Sequence, residues 1–393
     1  MIRWAFSLML ALCGVFAVVP AGAADLRIGL SADVTTIDPH HMPSQPNLAV
    51  GYHVFDALTH VDEKARIIPG LAVSWRTLDS TTWEFKLRPG VKFHDGSELT
   101  AEDVVFSLDR PPTVKGGGFG SYVAMIQSKT IVDKLTVRIA TRATYGALAE
   151  ELNSVMIVSK KHATNAASED FDSGKATIGT GPYRFVRFAR GDRVEYVRNN
   201  DYWGGRPAWE KLTIRIMPTD PVRTAALLAG ELDVIEHVPP ADRERLAKNP
   251  KLRLDQTTSW RTLFLHLDQY RAAPLNVVDG TGKPLAKNPF MDVRVRRAMS
   301  MAINRNALTE RVMEKLAVPA SNIVSPGVFG HNAQLKTEPF DPDGAKKLLA
   351  EAGYPNGFGI TLSGPNNRYI NDEQILQAVA QDRKSTRLNS SHT

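Results

Sequence analysis

Alternating apolar residues predict strands in the first two-thirds of the chain. Residues 26–30 and 83–87 each carry a large apolar residue at every second position, as expected for strands with one buried face. Similar short runs predict further strands at 185–188, 194–197, 212–216 and 233–235. Turn sequences such as Arg88-Pro89-Gly90 separate these runs, so the pattern indicates several short strands rather than a few long ones.

Capping side chains mark the starts of four helices. Thr100, with Asp103 three positions later, has the form of a capping box. The other predicted N-caps are Asp220, Asp292 and Asp341. Because a helix lies between predicted strands in the region 212–235, this part of the chain has the strand-helix-strand order of an α/β lobe.

The first 23 residues have the composition of a secretory signal peptide. Arg3 precedes the apolar run 4–19, and small residues follow Pro20, so we expect cleavage after Ala23. A retained membrane anchor is the alternative, although the run is short for a spanning helix. Cys13 follows a leucine rather than a small residue, so lipidation is not expected. It is the one cysteine of the chain, so no disulfide is predicted.

The last residues, 382–393, read DRKSTRLNSSHT and show no apolar periodicity. They resemble the translation of a sequencing adapter, so we expect the natural sequence to depart from this one after Gln381. The formal net charge of +6 includes both ends, and without them the excess falls to about +3. This small excess is not clustered and does not predict nucleic-acid binding.

Sequence motifs for catalysis are missing. The chain contains no GxSxG, no phosphate-binding loop ending in Gly-Lys-Ser/Thr and no HExxH. The run 116–118 is Gly-Gly-Gly without the flanking lysine and helix, which favours a flexible loop. His40, His41, His53 and His60 are spaced unlike any known ligand motif. We therefore predict a protein that is not an enzyme and has neither a metal nor a cofactor.

Five stretches resemble one known family, in that family's order. They read LAVSWRTLDSTTWEFKLRPGVKFHDGSELTAEDVVFSLDR (71–110), GTGPYRFVRFARGDRVEYVRNNDYWGG (179–205), AALLAGELDVI (225–235), PFMDVRVRRAMSMAINR (289–305) and DPDGAKKLLAEAGYPNGF (341–358). The chain resembles the family 5 extracellular solute-binding proteins, whose members bind peptides, nickel chelates and some sugars. Many of these motif residues have a structural explanation: Gly179 and Gly181, for example, suit a chain that crosses between lobes.

The resemblance implies an α/β fold of the type II periplasmic binding protein class, with two large lobes and a small inserted lobe around a hinged ligand cleft. The first lobe is expected at 24–46 and 176–270, and the inserted lobe at 47–175. The third is expected at 271–381. It is expected to be incomplete, because the aspartate segment with which peptide-binding relatives hold the solute's amino terminus does not occur here.

The resemblance also indicates where the cleft residues lie. The predicted ligand-binding residues are Thr35, His41, Trp260, Arg261, Asn366, Arg368 and Tyr369. Arg261 or Arg368 is suited to hold a peptide carboxylate through a two-pronged hydrogen bond. For each arginine, a solvated surface charge is the alternative interpretation.

The predicted function is therefore capture of di- or oligopeptides in the periplasm by the substrate-binding component of an ABC importer. Its partners are expected to be a membrane permease with its ATPase, and the protein is expected to be a monomer. The alternatives are a nickel-chelate or other small-solute binder on the same fold and, from another class, a secreted hydrolase.

Overall fold

A computed structural model describes residues 24–328, 330–365, 368–384 and 390–391, with no side-chain description after residue 381. The predicted signal peptide, Asn366 and most of the 382–393 stretch lie outside the described residues. Within the described part of the chain, no helix is both long and apolar enough to cross a membrane.

Fourteen strands are described. They are β1 (Leu26–Leu30), β2 (Thr59–Val61), β3 (Ile67–Pro69), β4 (Ala72–Thr77), β5 (Thr82–Leu87), β6 (Ile126–Asp133), β7 (Thr136–Thr141), β8 (Tyr183–Ala189), β9 (Arg193–Arg198), β10 (Lys211–Ile216), β11 (Val234–Ile235), β12 (Val277–Val278), β13 (Gly359–Thr361) and β14 (Ser390–Ser391).

The described α-helices are mostly short. They are α1 (Gln45–Gly51), α2 (Ala101–Asp109), α3 (Leu148–Glu151), α4 (Lys160–Ala163), α5 (Ser168–Asp172), α6 (Asp220–Leu228), α7 (Arg243–Ala247), α8 (Val293–Met301), α9 (Arg305–Ala307), α10 (Pro342–Glu351) and α11 (Asp372–Lys384). Single 3-10 turns lie at Pro111–Thr113, Phe119–Val123, Pro240–Asp242 and Pro289–Met291, and a π-helical turn at Leu308–Val312 follows α9.

The first sheet has the strand order β11-β1-β10-β9-β8. Its strand β1 pairs in parallel with both β10 and β11, whereas β9 and β8 are antiparallel additions. The apolar faces of these strands pack on a buried core that includes Leu30, Tyr196 and Ile214. The three parallel strands therefore end side by side at one edge of the sheet.

The second sheet, β4-β5-β7-β6, is antiparallel and has its own core. Phe85 and Leu87 point into that core beside α2, whose capping box at Thr100 and Asp103 is confirmed. A third core surrounds Val295 of α8 and Leu349 of α10, which pack against each other over the sheet β12-β13-β14. Each core belongs to a separate body: the first body is built around the first sheet, the inserted body around the second sheet, and the third body around α8, α10 and the sheet β12-β13-β14.

Most predicted element boundaries are confirmed. Asp292 and Asp341 cap α8 and α10 by accepting backbone N–H bonds at 2.8 and 2.9 Å. The prediction that Asp220 is an N-cap is wrong, because α6 begins at Asp220 and its N-cap is Thr219. The Asp220 carboxylate instead accepts a hydrogen bond from the guanidinium of Arg223, one turn later.

The predicted boundaries of the inserted lobe stay a prediction, but the buried side chains favour a shorter one. Val50, Val54, Met156 and Phe171 belong to the core of the first sheet, although all lie within 47–175. Leu58 and Val155 belong to the second core. We therefore propose that the chain passes between the two bodies near residues 56 and 156.

At this crossing two backbone segments touch. The Gly181 N–H donates to the carbonyl oxygen of Val54 at 2.8 Å, and a Cβ on Gly179 would lie 1.9 Å from the same oxygen. The neighbouring Asp56 carboxylate, 2% exposed, accepts hydrogen bonds from Thr180 and Trp203 at 2.8 and 2.9 Å. Only a residue without a side chain fits at position 179.

We expect Gly179→Ala to lower the free energy of unfolding by at least about 2 kcal/mol, because the new methyl group overlaps the Val54 carbonyl and forces the crossing apart. The measurement is urea unfolding. Gly146→Ala is the matched control, because a Cβ there meets nothing within 4 Å. Equal unfolding midpoints for the two variants would contradict this account of the crossing.

Candidate functional site

The candidate site begins where the parallel strands end. Ser31 follows β1, Met217 follows β10, and Glu236 follows β11. In open α/β sheets, ligands bind beyond the carboxyl ends of the strands. We therefore expect the polar groups at this edge to form one wall of the ligand cleft.

The buried guanidinium of Arg223 joins these strand ends. It is 0% exposed and donates to the carbonyl oxygens of Met217 at 2.7 Å, Glu236 at 3.2 Å and His237 at 3.0 Å, besides its pairing with Asp220 at 2.5 Å. A buried charge is tolerated when its donors are satisfied in this way. Arg223 thus fixes the backbone on which the cleft residues stand.

Ser31, Glu236 and His237 form a polar cluster on that wall. The Ser31 N–H and hydroxyl both donate to Oε1 of Glu236, at 2.9 and 2.6 Å, and the hydroxyl lies 2.8 Å from Nδ1 of His237. Burial lowers the pKa of His237, while the negative charge of Glu236 opposes this shift and the positive charges of Arg261 and Arg368 add to it. The positive charges of both arginines therefore act on the imidazole of His237.

An aromatic ring of the third body, Tyr369, carries two guanidinium groups: Arg368 from the same body and Arg261 from the segment that leads into it. The guanidinium carbon of Arg261 lies 4.8 Å from the centre of the Tyr369 ring, and that of Arg368 lies 5.1 Å from it. The backbone N–H groups of Arg368 and Tyr369 both donate to the Asp372 carboxylate at 2.9 Å. Among the described residues, no carboxylate lies within 4.0 Å of either guanidinium.

Trp260 faces a separate cavity of about 320 Å³. The Trp260 carbonyl accepts a hydrogen bond from the Ser325 hydroxyl at 2.7 Å, which ties this segment to the third body. The cavity lies between the inserted and third bodies, and its lining residues are Val61, Ala65, Glu150, Asn153, Trp260, Ile323, Val324, Ser325 and Val328.

Thr35 and His41 lie on the loop after β1, away from the arginine pair. Thr35 exchanges two hydrogen bonds with the Asn47 side chain, and the His41 carbonyl accepts from the Gly118 N–H. The buried ion pair of Asp38 with Arg110, at 2.7 and 2.8 Å, holds this loop in place. The structure therefore brings Arg261, Arg368 and Tyr369 together, whereas Thr35 is bonded to Asn47. The buried Nδ1 of His41 has no hydrogen-bond partner among the described residues.

Sequence reasoning missed Ser31, Glu236 and His237. Their positions along the chain carried a signal, because Ser31 and Glu236 each directly follow a strand that proves to be parallel. The His237 backbone adds a second signal that only the structure provides, a φ of 53° in the left-handed region that few residues other than glycine adopt. Such strain tends to collect at functional sites.

Of the four histidines considered as metal ligands, His40 is buried and the other three are half-buried. His40 bonds the Met156 carbonyl at 2.7 Å, and His53 packs against the rings of Tyr183 and Tyr196. Burial lowers the pKa of His40 and of His53 to about 4, and that of His94 likewise. Within the described ranges, no three histidine, cysteine or acidic side chains are grouped to hold a metal ion.

These buried histidines predict how stability depends on pH. Their pKa is about 4 when folded and 6.5 in the reference state, so below pH 6.5 the unfolded chain binds more protons and stability falls as the pH drops towards 4. We expect a loss of about 1.4 kcal/mol per pH unit for each such histidine, measured by urea unfolding.

His53→Phe keeps the ring packing but removes one titrating group. The slope of the free energy of unfolding against pH is therefore expected to fall by about 1.4 kcal/mol per pH unit. The matched control is His266→Gln at an exposed position, which removes a histidine without a buried environment. A free energy of unfolding that stays constant from pH 6.5 to 5 would contradict the burial of neutral histidines.

Solved structures define the class of fold. The chain aligns over 94% of its length with a periplasmic binding protein from Helicobacter pylori in complex with the peptide STSA, at a TM-score of 0.77 and 24% identity, covering 73% of that chain. It aligns equally far with a Campylobacter jejuni protein in complex with Ni(L-His), at a TM-score of 0.76 and 21% identity, again covering 73% of that chain. The fold is the α/β fold of type II periplasmic binding proteins, as predicted.

The family follows from the sequence match. Residues 66–386 match the model described as bacterial extracellular solute-binding proteins, family 5 Middle, and the chain belongs to this family. It is 32% identical over 317 residues to heme-binding protein A of Haemophilus influenzae, covering 74% of this chain and 55% of that protein. It is also 32% identical over 321 residues to a dipeptide-binding protein of Escherichia coli, covering 75% of this chain and 57% of that protein. The chain thus spans little more than half the length of these relatives.

Proposed function

We propose that this protein is the substrate-binding component of an ABC importer and that it captures a short peptide, or a related small solute with a carboxylate, in the periplasm. It acts by binding rather than by catalysis. It delivers the solute as a monomer to a membrane permease and its ATPase, and residues 1–23 direct its export without lipidation.

The single observation that carries the proposal is the arginine pair on Tyr369. Two guanidinium groups lie about 5 Å from one ring centre, and no described carboxylate pairs with either of them. Uncompensated guanidinium groups in a cleft favour an anionic ligand, and their planar donors match a carboxylate. The aromatic ring holds the side chains in place before the ligand arrives.

The arrangement also suggests how the lobes close. Arg261 lies on the segment that runs from the first body towards Leu267, which packs on the third core, and Arg368 belongs to the third body. A carboxylate bound by both arginines would contact two bodies at once. Such a solute favours the closed form because only that form makes both sets of contacts.

The relatives' names support a carboxylate-bearing solute. Besides the dipeptide-binding protein, the chain is 31% identical to a glutathione-binding protein of Pectobacterium atrosepticum over 365 residues, covering 91% of this chain and 67% of that protein. Dipeptides and glutathione carry carboxylates, and so does the histidine of the nickel complex in the C. jejuni structure. A nickel chelate therefore stays the alternative solute.

The test is calorimetric titration with di-, tri- and longer peptides, glutathione and Ni(L-His). We expect binding heat with peptides of one length class. If only the nickel complex binds, the solute is a nickel chelate rather than a peptide. If no carboxylate-bearing compound gives a binding heat, or if the protein hydrolyses a peptide, the proposed function is contradicted.

We expect Arg368→Gln to weaken binding of the solute about 10- to 100-fold, because a hydrogen bond to a charged group contributes about 1.5–3 kcal/mol. Arg368→Lys keeps the charge but loses the planar fork, so an intermediate loss is expected.

Arg206→Gln is the matched control, because this exposed arginine lies before β10, at the opposite end of the strands from the cleft. Equal affinities for Arg368→Gln and Arg206→Gln would exclude Arg368 from the site.

A further inference from the structure

We propose that Glu236 binds a protonated amino group of the solute, so that the cleft selects solutes that carry both a positive and a negative charge. This inference rests on the proposed function, because it assigns a second contact within the same cleft. It adds to the arginine pair a residue that directly follows β11 of the first sheet.

The Glu236 carboxylate is held through one oxygen only. Oε1 accepts from the Ser31 N–H at 2.9 Å and from the Ser31 hydroxyl at 2.6 Å. Among the described residues, Oε2 has no hydrogen-bond partner and no cation within ion-pair distance. A half-buried carboxylate in this state has one oxygen free to accept a hydrogen bond from an ammonium group.

The backbone beneath Glu236 is rigid. Arg223 donates to the carbonyl oxygens of both Glu236 and His237, and a Cβ on Gly29 would lie only 3.1 Å from Cγ of Arg223. His237 is held with a φ of 53°. Because folding already orders this turn, a ligand that binds Glu236 does not have to order it, which favours tight binding.

Charges of opposite sign surround His237. Burial lowers the pKa of His237, and the charges of Arg261, Arg223 and Arg368 lower it further, whereas the charge of Glu236 opposes the shift. The lowered pKa favours the neutral imidazole, which does not neutralise Glu236. Glu236 and the arginine pair thus give the proposed cleft one negative and one positive pole.

This polarity predicts discrimination against solutes with a carboxylate but no amine. Such a solute would satisfy the arginines but would bury the Glu236 charge without a partner, which is unfavourable. A solute with both charges neutralises both poles. Specificity then arises from the unfavourable contact as well as from the favourable one.

The experiment is calorimetric titration of the full chain with two matched pairs of probes. Ala-Ala and Ala-Ala-Ala are compared with their N-acetyl forms, which keep the carboxylate and lose the ammonium charge. We expect acetylation to weaken binding about 10- to 100-fold in the unmodified protein. In Glu236→Gln the free and acetylated probes are expected to bind about equally, because the amide retains an oxygen for Ser31 but carries no charge.

Glu231→Gln is the matched control, because this exposed carboxylate lies just before β11 and pairs with Arg215 at 3.2 Å, outside the cleft. It is expected to keep the full effect of acetylation. Equal binding of free and acetylated probes to the unmodified protein would overturn the assignment of Glu236 while leaving the proposed function intact. If no probe binds at any concentration, the assignment of Glu236 fails for these peptides, and the proposed function fails only if longer peptides, glutathione and Ni(L-His) do not bind either.

Discussion

The buried guanidinium of Arg223 is the contact on which the cleft wall depends. Its donors reach carbonyl oxygens beyond the two parallel strands on either side of β1, at Met217 and at Glu236 and His237, so the ends of β10 and β11 are tied together. The contact also explains the bare backbone at Gly29, since a Cβ there would lie 2.7 Å from Leu232 and 3.1 Å from Arg223. The buried charge of Arg223, which is costly to desolvate, thus holds the backbone of Glu236 and His237 at the proposed solute site.

Local signals were sufficient for most of the fold. Strand alternation and the caps at Thr100, Asp292 and Asp341 depend on residues a few positions apart, so the sequence alone locates them. Glu236 could not be recognised in this way, because its role depends on the pairing of β1 with β11, some 200 residues later. The prediction of the α6 N-cap was wrong for a related reason, because the Asp220 carboxylate pairs with the guanidinium of Arg223 one turn away.

The candidate site was predicted in part for the same physical reason. Arg261, Arg368 and Tyr369 were proposed from a resemblance, and a shared ring brings them together. Thr35 was proposed from its loop, but the Asn47 side chain satisfies its polar groups. Relatives that share this fold are named for heme, glutathione and dipeptides, so the fold alone does not identify the solute. In the proposed function, the charges of Glu236, Arg261 and Arg368 distinguish one solute class from another.

Native mass spectrometry of the protein isolated from the periplasm tests the central claim most directly, because it identifies a bound solute by its mass. The account predicts a co-purifying small molecule with both a carboxylate and an amino group, which is absent from Arg368→Gln and is released by unfolding. A retained neutral sugar, or a retained solute unaffected by that substitution, would contradict the account.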